Sequence, residues 1–219
     1  MNSKLKAFLM AAGLSSAAIT GAQLTDKWEG NSLTVYVDAV GVLTACRGHT
    51  SKDLKLNQTF TEQECMEIFA KDIAKEDKQL LQLTAPVRLT HSEHAAYLSF
   101  LHWAGYGNFA SSTLRKKLLA GDRVGACMEL TQACSTNPQT GERVCNGWTY
   151  GTRLGAKVRL NGLIKRRAEE QAMCLSELGL GQSAGALNES LTNHKRCAVV
   201  ISVAGDCHHW ADVSATTEH

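Results

Sequence analysis

The chain has 219 residues, of which 44% are apolar and 20% charged, and it contains only two prolines. This composition is typical of a folded protein and excludes a collagen-like or disordered chain, and the length fits one domain with appendages better than two full domains. A formal net charge of +2 is too small to indicate a nucleic-acid-binding protein, so we predict no nucleic-acid partner.

The N-terminus carries an uncharged segment of the kind found in export signals. Lys4 and Lys6 precede residues 7–24, which contain no charged side chain. A permanent membrane anchor needs about 20 strongly apolar residues, whereas small and polar residues dilute this run. A cleaved signal peptide with its exit at residues 20–22 and a segment that inserts weakly and later leaves the bilayer both stay open. A buried helix of a cytosolic protein is the competing interpretation, and we assign residues 1–26 to export and membrane insertion.

A helix end and a hairpin are predicted directly after this segment. Residues 25–30 complete a helix, and SLTVYVDAVGVLTAC, residues 32–46, alternates and carries Val, Thr and Tyr as strands do. The turn between the two strands is predicted at residues 39–41. The early part of the chain is therefore predicted to form a small β-hairpin.

The rest of the chain is predicted to be mainly helical. Thr61 and Glu64 have the spacing of a capping box at the start of a long helix, which should run to about Leu83 before Pro86. Strands early and helices late indicate an α+β fold. The later helical segments are HSEHAAYLSFLHWAG, SSTLRKKLLAG, RVGACMELTQAC and RLNGLIKRRAEEQAMCLSEL. The basic stretch KVRLNGLIKRRAEE is expected to be a solvated helix face rather than a binding patch for an anionic polymer.

Eight cysteines indicate disulfides formed outside the cytoplasm, since no two of them form a CxxC pair. Spacing predicts two local disulfides, Cys134–Cys145 and Cys197–Cys207. Spacing alone leaves three connectivities open for the other four cysteines, Cys46, Cys65, Cys127 and Cys174. The Cys and His residues of the tail lack the spacing of a zinc module, so we predict no metal and no cofactor. Residues 179–219 change in composition and are assigned to a C-terminal appendage of unknown role.

Two carboxylates and a hydroxyl flank the predicted hairpin. Asp38 follows Glu29 by nine residues, and Thr44 follows Asp38 by six. Cleavage of a glycosidic bond needs one protonated carboxyl for the leaving oxygen and one ionised carboxylate near the anomeric carbon. On their own these residues fit a helix end, a turn and a strand equally well.

A longer ordered set of residues resembles one enzyme family. The set comprises Glu29 with Gly30, Tyr36, Asp38, Gly41 with Val42, Thr44, and Gly48 with His49 and Thr50. It is similar to the N-terminal signature of the phage-type lysozymes, glycoside hydrolase family 24. Further similar motifs are Thr61 to Cys65 with Lys71 and Asp72, Gly107 to Phe109 with Ser112 to Leu114, and Gly162 and Leu163 with Arg166, Arg167 and Glu169. The resemblance covers residues 27–178 and is strongest to the signal-arrest-release endolysins of lambdoid phages.

The resemblance implies a fold, a reaction and a set of catalytic residues. The fold would be lysozyme-like, with a small β-hairpin lobe and a larger helical lobe joined by a long helix. The substrate would be peptidoglycan, cut at the β-1,4 bond between N-acetylmuramic acid and N-acetylglucosamine. Glu29 would be the general acid, Asp38 the carboxylate that stabilises positive charge, and Thr44 the hydroxyl that positions the attacking water. The family inverts the anomeric carbon. Since inversion needs room for a water molecule, the two carboxyl groups are expected roughly 6.5–9.5 Å apart.

Three neighbouring residues carry narrower expectations. Glu29 must be protonated to act, so burial beside apolar neighbours such as Trp28 is expected to raise its pKa. His49 is expected to tie a loop to the helical lobe rather than to take part in catalysis. Trp103 stands where relatives usually have asparagine, which puts a substrate contact there in doubt.

Regulation is expected to follow from the position of Glu29. Only four residues separate Leu24 from Glu29, so an inserted residue 7–24 segment would keep the helix before Glu29 from folding. We expect a monomer that is exported, tethered inactive to the inner membrane facing the periplasm, and then released into the periplasm. A lytic transglycosylase and a non-catalytic peptidoglycan-binding module are the alternatives.

Overall fold

The computed structural model describes residues 3–38, 41–136, 141, 143–145, 147–153 and 156–179. Five elements lead into the long helix α3, Glu62–Thr84: α1 Ser3–Ala11, α2 Ser16–Trp28, β1 Ser32–Val37, β2 Leu43–Cys46 and β3 His49–Thr50. The later helices are α4 His91–Ala104, α5 Tyr106–Ser111, α6 Thr113–Leu119, α7 Arg123–Gln132 and α8 Asn161–Ser176. Between α7 and α8 lie two hairpins, β4 Cys134–Thr136 with β5 Arg143–Cys145, and β6 Tyr150–Arg153 with β7 Ala156–Arg159.

The N-terminal segment forms two helices packed on the core in this structure. Leu5 and Leu9 of α1 are fully buried in the main hydrophobic cluster. Helix α2 lies so close to α4 that a Cβ added to Gly21 would come within 2.8 Å of the Ala95 carbonyl oxygen. Helix α2 also runs continuously across residue 26, where the sequence placed a boundary. None of the helices in the described residues is long and apolar enough to cross a membrane.

The small β lobe is an antiparallel sheet in the order β1-β2-β3. Tyr36 pairs with Thr44 across β1 and β2, so the predicted hairpin is confirmed, although turn residues 39 and 40 lie outside the described residues. A separate core fills this lobe, made of Val35, Ala45, Cys46, Leu54 and Cys65. The sheet thus holds the Tyr36 and Thr44 side chains next to each other on one face.

Helix α3 joins the two lobes. The predicted capping box is present, with Thr61 and Glu64 each bonding the other's backbone, and α3 ends one residue past the expected Leu83. Near its start Cys65 belongs to the β-lobe core, whereas Phe69 belongs to the main core. The α+β fold with a long connecting helix is therefore confirmed.

The hairpins between α7 and α8 were not predicted. The sequence placed Lys157 to Leu160 in a basic helix, but residues 156–159 form strand β7 and α8 begins at Asn161. Residues 156–159 pair with β6, which accounts for the later helix start. Trp148, at the start of the second hairpin, packs against Phe100 of α4 with ring centroids 5.2 Å apart.

Three disulfides link the described cysteines. Cys134–Cys145 is present as predicted, and Cys46–Cys65 and Cys127–Cys174 resolve the connectivity that spacing left open. The predicted Cys197–Cys207 pair and the rest of the tail beyond Gly179 lie outside the described residues. Cys46–Cys65 fastens the β2 strand to α3, and Cys127–Cys174 fastens α7 to α8.

Removing the Cys46–Cys65 disulfide by a double alanine substitution should lower the free energy of unfolding by about 3 kcal/mol. The reason is that the bond closes a loop across a sequence separation of 19 residues and so reduces the conformational entropy of the unfolded chain. Urea unfolding of the parent and the variant under oxidising conditions measures the difference. Equal unfolding midpoints would show that the β lobe is held without this bond.

Candidate active site

Glu29 caps the C-terminal end of α2. Its backbone N–H donates to the Thr25 carbonyl at 2.9 Å, and its own extended φ and ψ angles end the helix. The carboxylate is only 21% exposed, and Oε1 accepts from Arg166 Nη1 at 2.5 Å. The indole N–H of the neighbouring Trp28 donates to Glu169 at 2.9 Å. The buried guanidinium of Arg166 is therefore a direct partner of this carboxylate.

Arg166 is fixed by a buried network on α8 and α4. Its side chain is 3% exposed, its Nε donates to Glu170 Oε1 at 3.1 Å, and its Nη2 donates to the Ser99 carbonyl at 3.1 Å. Glu170 Oε1 also accepts from Arg167 Nη2 and from the Ser99 hydroxyl, each at 2.7 Å. Since all these groups are buried, Arg166 has little freedom to turn away from Glu29.

Burial dominates the electrostatics of this network. Burial raises the pKa of Glu170 even though Arg167, Arg166 and Ser99 all stabilise its charged form. Burial also lowers the pKa of Arg167 to about 10, although the negative charge of Glu170 acts to raise it. The guanidinium of Arg167 lies over the rings of Trp103 and Phe100, at 4.6 and 5.0 Å from their centroids. The two α8 arginines are thus internal groups, not the solvated helix face that the sequence indicated.

Asp38 holds the turn that follows β1. Its Oδ1 accepts from the Val42 N–H at 2.9 Å, and its backbone carbonyl accepts from the Gly41 N–H at 3.1 Å. Its own N–H donates to the Val42 carbonyl at 2.9 Å. The turn therefore fixes the direction of the carboxylate at the rim of the sheet.

Tyr36 connects the two carboxylates. Partial burial, then the negative charges of Asp38 and Glu29, raise the pKa of its phenol. Both carboxylates are therefore near the same phenol group. Thr44 lies directly opposite Tyr36 in the sheet and is nearly buried, with its hydroxyl donating to the Val42 carbonyl at 3.2 Å. Tyr36 is thus the residue through which these three are related, because it senses the charges of Asp38 and Glu29 and pairs with Thr44.

A tight loop at residues 46–48 lies beneath Glu29. Gly48 has a φ of +79°, and a Cβ there would lie 3.4 Å from Glu29 Oε2. Arg47 is buried and anchors the loop, donating to Asp26 Oδ1 at 2.6 Å and to Glu62 Oε1 at 2.8 Å. Any side chain at Gly48 would meet both a strained backbone and the Glu29 carboxylate.

His49 ties the loop region to α3, as expected. Its Nδ1 lies 2.7 Å from Asp72 Oδ2. The hydrogen bond to Asp72 raises the pKa of His49 and outweighs the effect of burial. Within the described residues, no group of three His, Cys, Asp or Glu side chains is arranged to hold a metal ion.

The family model for phage lysozyme matches residues 26–170. The chain belongs to the phage lysozyme family. The SAR-endolysin of Enterobacteria phage P21 is 36% identical over 165 residues, covering 75% of this chain and 88% of that protein. The crystal structure of the active form of the P1 phage endolysin Lyz matches with a TM-score of 0.59 at 19% identity, covering 80% of this chain and 94% of that one. The structure of the endolysin from Escherichia coli O157:H7 phage FAHEc1 matches with a TM-score of 0.56 at 24% identity, covering 72% of this chain and 92% of that one.

These matches confirm the family resemblance and the lysozyme-like fold of this phage lysozyme. The sequence had not identified Arg166 as the partner of Glu29, nor Glu170 as the group behind it. A signal was present, because Arg166 and Arg167 stand four and three residues before Glu170 and so share one face of a helix. That spacing predicts an ion pair within α8, but it does not show that the pair faces Glu29.

Proposed function

We propose that this phage lysozyme is a phage or prophage endolysin that cleaves peptidoglycan to lyse the host cell. The bond cut is the β-1,4 bond between N-acetylmuramic acid and N-acetylglucosamine. The observation that carries the proposal is the Glu29 carboxyl at the end of α2, held by the buried Arg166 and near the same phenol as Asp38. Inverting hydrolysis needs such a pair of carboxyl groups at one cleft.

The catalytic steps follow from the chemistry of these three residues. Glu29 donates a proton to the leaving glycosidic oxygen, and because Arg166 binds Oε1, the proton to be transferred belongs on Oε2. Asp38 stabilises the positive charge that develops on the sugar ring and helps to hold the attacking water. The Thr44 hydroxyl positions this water, which attacks from the opposite face and inverts the anomeric carbon while its proton passes to the Asp38 carboxylate.

Mass analysis of the products tests the reaction. Purified peptidoglycan is digested with the parent protein, after its disulfides have been shown to be formed. We expect muropeptides with hydrated reducing ends. Anhydro ends would instead indicate a lytic transglycosylase, and the absence of cleavage would leave a non-catalytic binding module.

We further propose that residues 7–24 first enter the inner membrane and later leave it. The names of the SAR-endolysin relatives support this proposal, as does the folding of α1 and α2 onto the core in the structure. Helix α2 contains half of this segment, residues 16–24, and ends at the Glu29 cap. In a tethered chain the general acid is therefore not yet in position. The monomeric enzyme is then exported, inactive while tethered, and active once released into the periplasm. Residues 27–178 form the lysozyme domain, and residues 179–219 form an appendage.

A Gly21→Leu substitution separates membrane retention from catalysis. The leucine makes the segment more apolar, so the chain should stay longer in the membrane fraction. In the released enzyme the side chain would collide with Ala95 and Leu98, lowering the free energy of unfolding by about 1–3 kcal/mol and activity by about 10-fold. Cell fractionation and assays of detergent-free purified protein measure the two effects.

Ala12→Leu is the matched control for this prediction. Ala12 is exposed, so the substitution adds an apolar surface only one methyl group smaller to the segment, at a position open to solvent. It should increase membrane retention and leave the activity of released protein unchanged. Full activity of purified Gly21→Leu would show that close packing of α2 on α4 is not needed to deliver Glu29.

A further inference from the structure

A buried histidine on α4, His102, lies between two oxygen acceptors. Its Nδ1 is 2.8 Å from Glu76 Oε2 on α3, and its Nε2 is 3.3 Å from the carbonyl oxygen of Arg47. The His102 side chain is only 7% exposed. Neither the carboxylate nor the carbonyl has a hydrogen to give, so only the doubly protonated ring donates to both. The geometry therefore fits an imidazolium.

This ring lies close to Glu29. The position that a Cβ on Gly48 would occupy is 3.4 Å from His102 Nε2 and also 3.4 Å from Glu29 Oε2. The two atoms are therefore no more than about 7 Å apart, both next to Gly48. At this range inside a protein, a charge on one group acts on the other.

We propose that His102 is a positioning residue for the cleavage reaction. As an imidazolium, it binds Glu76 and the Arg47 carbonyl and so holds the residue 46–48 loop against Glu29. Its Nε2 then lies within about 7 Å of Oε2 of Glu29, while Arg166 pairs with Oε1. This role rests on the proposed lysozyme function, since it acts through Glu29.

Several charged groups face the ring, and they determine how His102 titrates. They are Glu76 from α3, Glu29 from the end of α2 and Arg166 from α8. Burial lowers the pKa of His102, but the hydrogen bond to Glu76 and the charges of Glu76 and Glu29 outweigh both burial and Arg166, and the net shift is upward. The ring therefore keeps its proton to a higher pH than an ordinary imidazole and loses it as the pH rises through the raised pKa. Deprotonation removes one of the two hydrogen bonds, so activity should decline on the alkaline side.

The test compares kcat and KM across pH for the parent, His102→Gln and Glu76→Gln on a soluble glycan fragment of peptidoglycan. His102→Gln should lower kcat by about 10-fold at neutral pH, because a misplaced loop disturbs Glu29, while KM changes little. The pH profile of His102→Gln should lack the decline in kcat at alkaline pH that deprotonation of His102 causes in the parent. Glu76→Gln keeps the imidazole but removes its carboxylate, so the decline should move to lower pH by about one unit.

His94→Gln is the matched control for these variants. His94 lies earlier on the same helix, with its Nε2 2.5 Å from Asp77 Oδ1 on α3, so this variant loses the same type of pair between the same helices. It should be less stable than the parent but keep the parent's kcat and pH profile. An equal loss of kcat in His94→Gln would assign the effect of His102 to general stability.

A ¹⁵N NMR titration of the His102 imidazole tests the proposal without an enzyme assay. We expect a midpoint above 6.5 in the parent and a lower one in Glu29→Gln, since linked charges act reciprocally. A parent midpoint at or below 6.5 would overturn the proposal even if His102→Gln does not fold. Hydrated products from the parent, together with unshifted profiles in both variants, would overturn the role of His102 and leave the lysozyme function standing. No cleavage by the parent would overturn both.

Discussion

Replacing Glu29 by glutamine is expected to lower kcat by about 10³-fold while the protein stays folded. Glutamine has nearly the same shape, and its carbonyl oxygen can still accept from Arg166. Its amide, however, has no acidic proton to give to the leaving glycosidic oxygen. The measurement is the rate at which reducing ends appear during peptidoglycan digestion, with circular dichroism to show that both proteins are folded.

Glu129→Gln controls for the loss of an ion-paired carboxylate elsewhere in the helical lobe. Glu129, on α7, is nearly buried, and its Oε1 lies 2.6 Å from Lys117 Nζ of α6. Its substitution should weaken the fold and leave the specific activity unchanged. If Glu29→Gln kept a tenth or more of the parent activity, another group would have to supply the proton.

Replacing Glu170 by glutamine is expected to lower the free energy of unfolding by about 3–5 kcal/mol. The carboxylate accepts from Arg166, Arg167 and Ser99 in a fully buried cluster. A neutral amide would leave two buried guanidinium groups with too little negative charge, and its NH₂ group would add a donor where acceptors are needed. Urea denaturation measures the loss. Activity should fall as well, because Arg166 would no longer be held against Glu29.

Lys27→Met is the comparison for Glu170→Gln, because it removes an ion pair at the surface. Lys27 is 58% exposed and pairs with Glu169 at 2.6 Å. Solvent screens such a pair, so the change in the free energy of unfolding should be below about 1 kcal/mol. If both variants lost a similar free energy of unfolding, the buried carboxylate of Glu170 would not be needed to balance the charges of Arg166 and Arg167.

Local patterns predicted most of the elements from the sequence. The capping box at Thr61 and Glu64 defined the start of α3 because its two hydrogen bonds involve only residues three apart. The alternation in residues 32–46 defined the hairpin for a similar reason. The β7 strand was mistaken for helix because four residues are too few to show a period against an adjoining helical pattern.

Long-range contacts could not be predicted from one sequence. Arg166 and Glu29 are 137 positions apart, and nothing local in either stretch indicates that they meet. The same holds for Glu76, His102 and the Arg47 carbonyl, which come from three separate elements. The family resemblance identified Glu29, Asp38 and Thr44 as candidates, whereas the groups that orient them emerged only from packing.

Helix α2 has a small-residue face because Gly21 must approach the Ala95 backbone. If residues 7–24 leave the membrane as proposed, the side chains on this face also affect how strongly the bilayer retains the segment. Larger apolar side chains would lengthen the stay in the bilayer and obstruct the folded enzyme, so one substitution alters both the time of lysis and the yield of active protein. Selection on the timing of lysis, where it acts through the packed face of α2, therefore also acts on the packing of the catalytic domain.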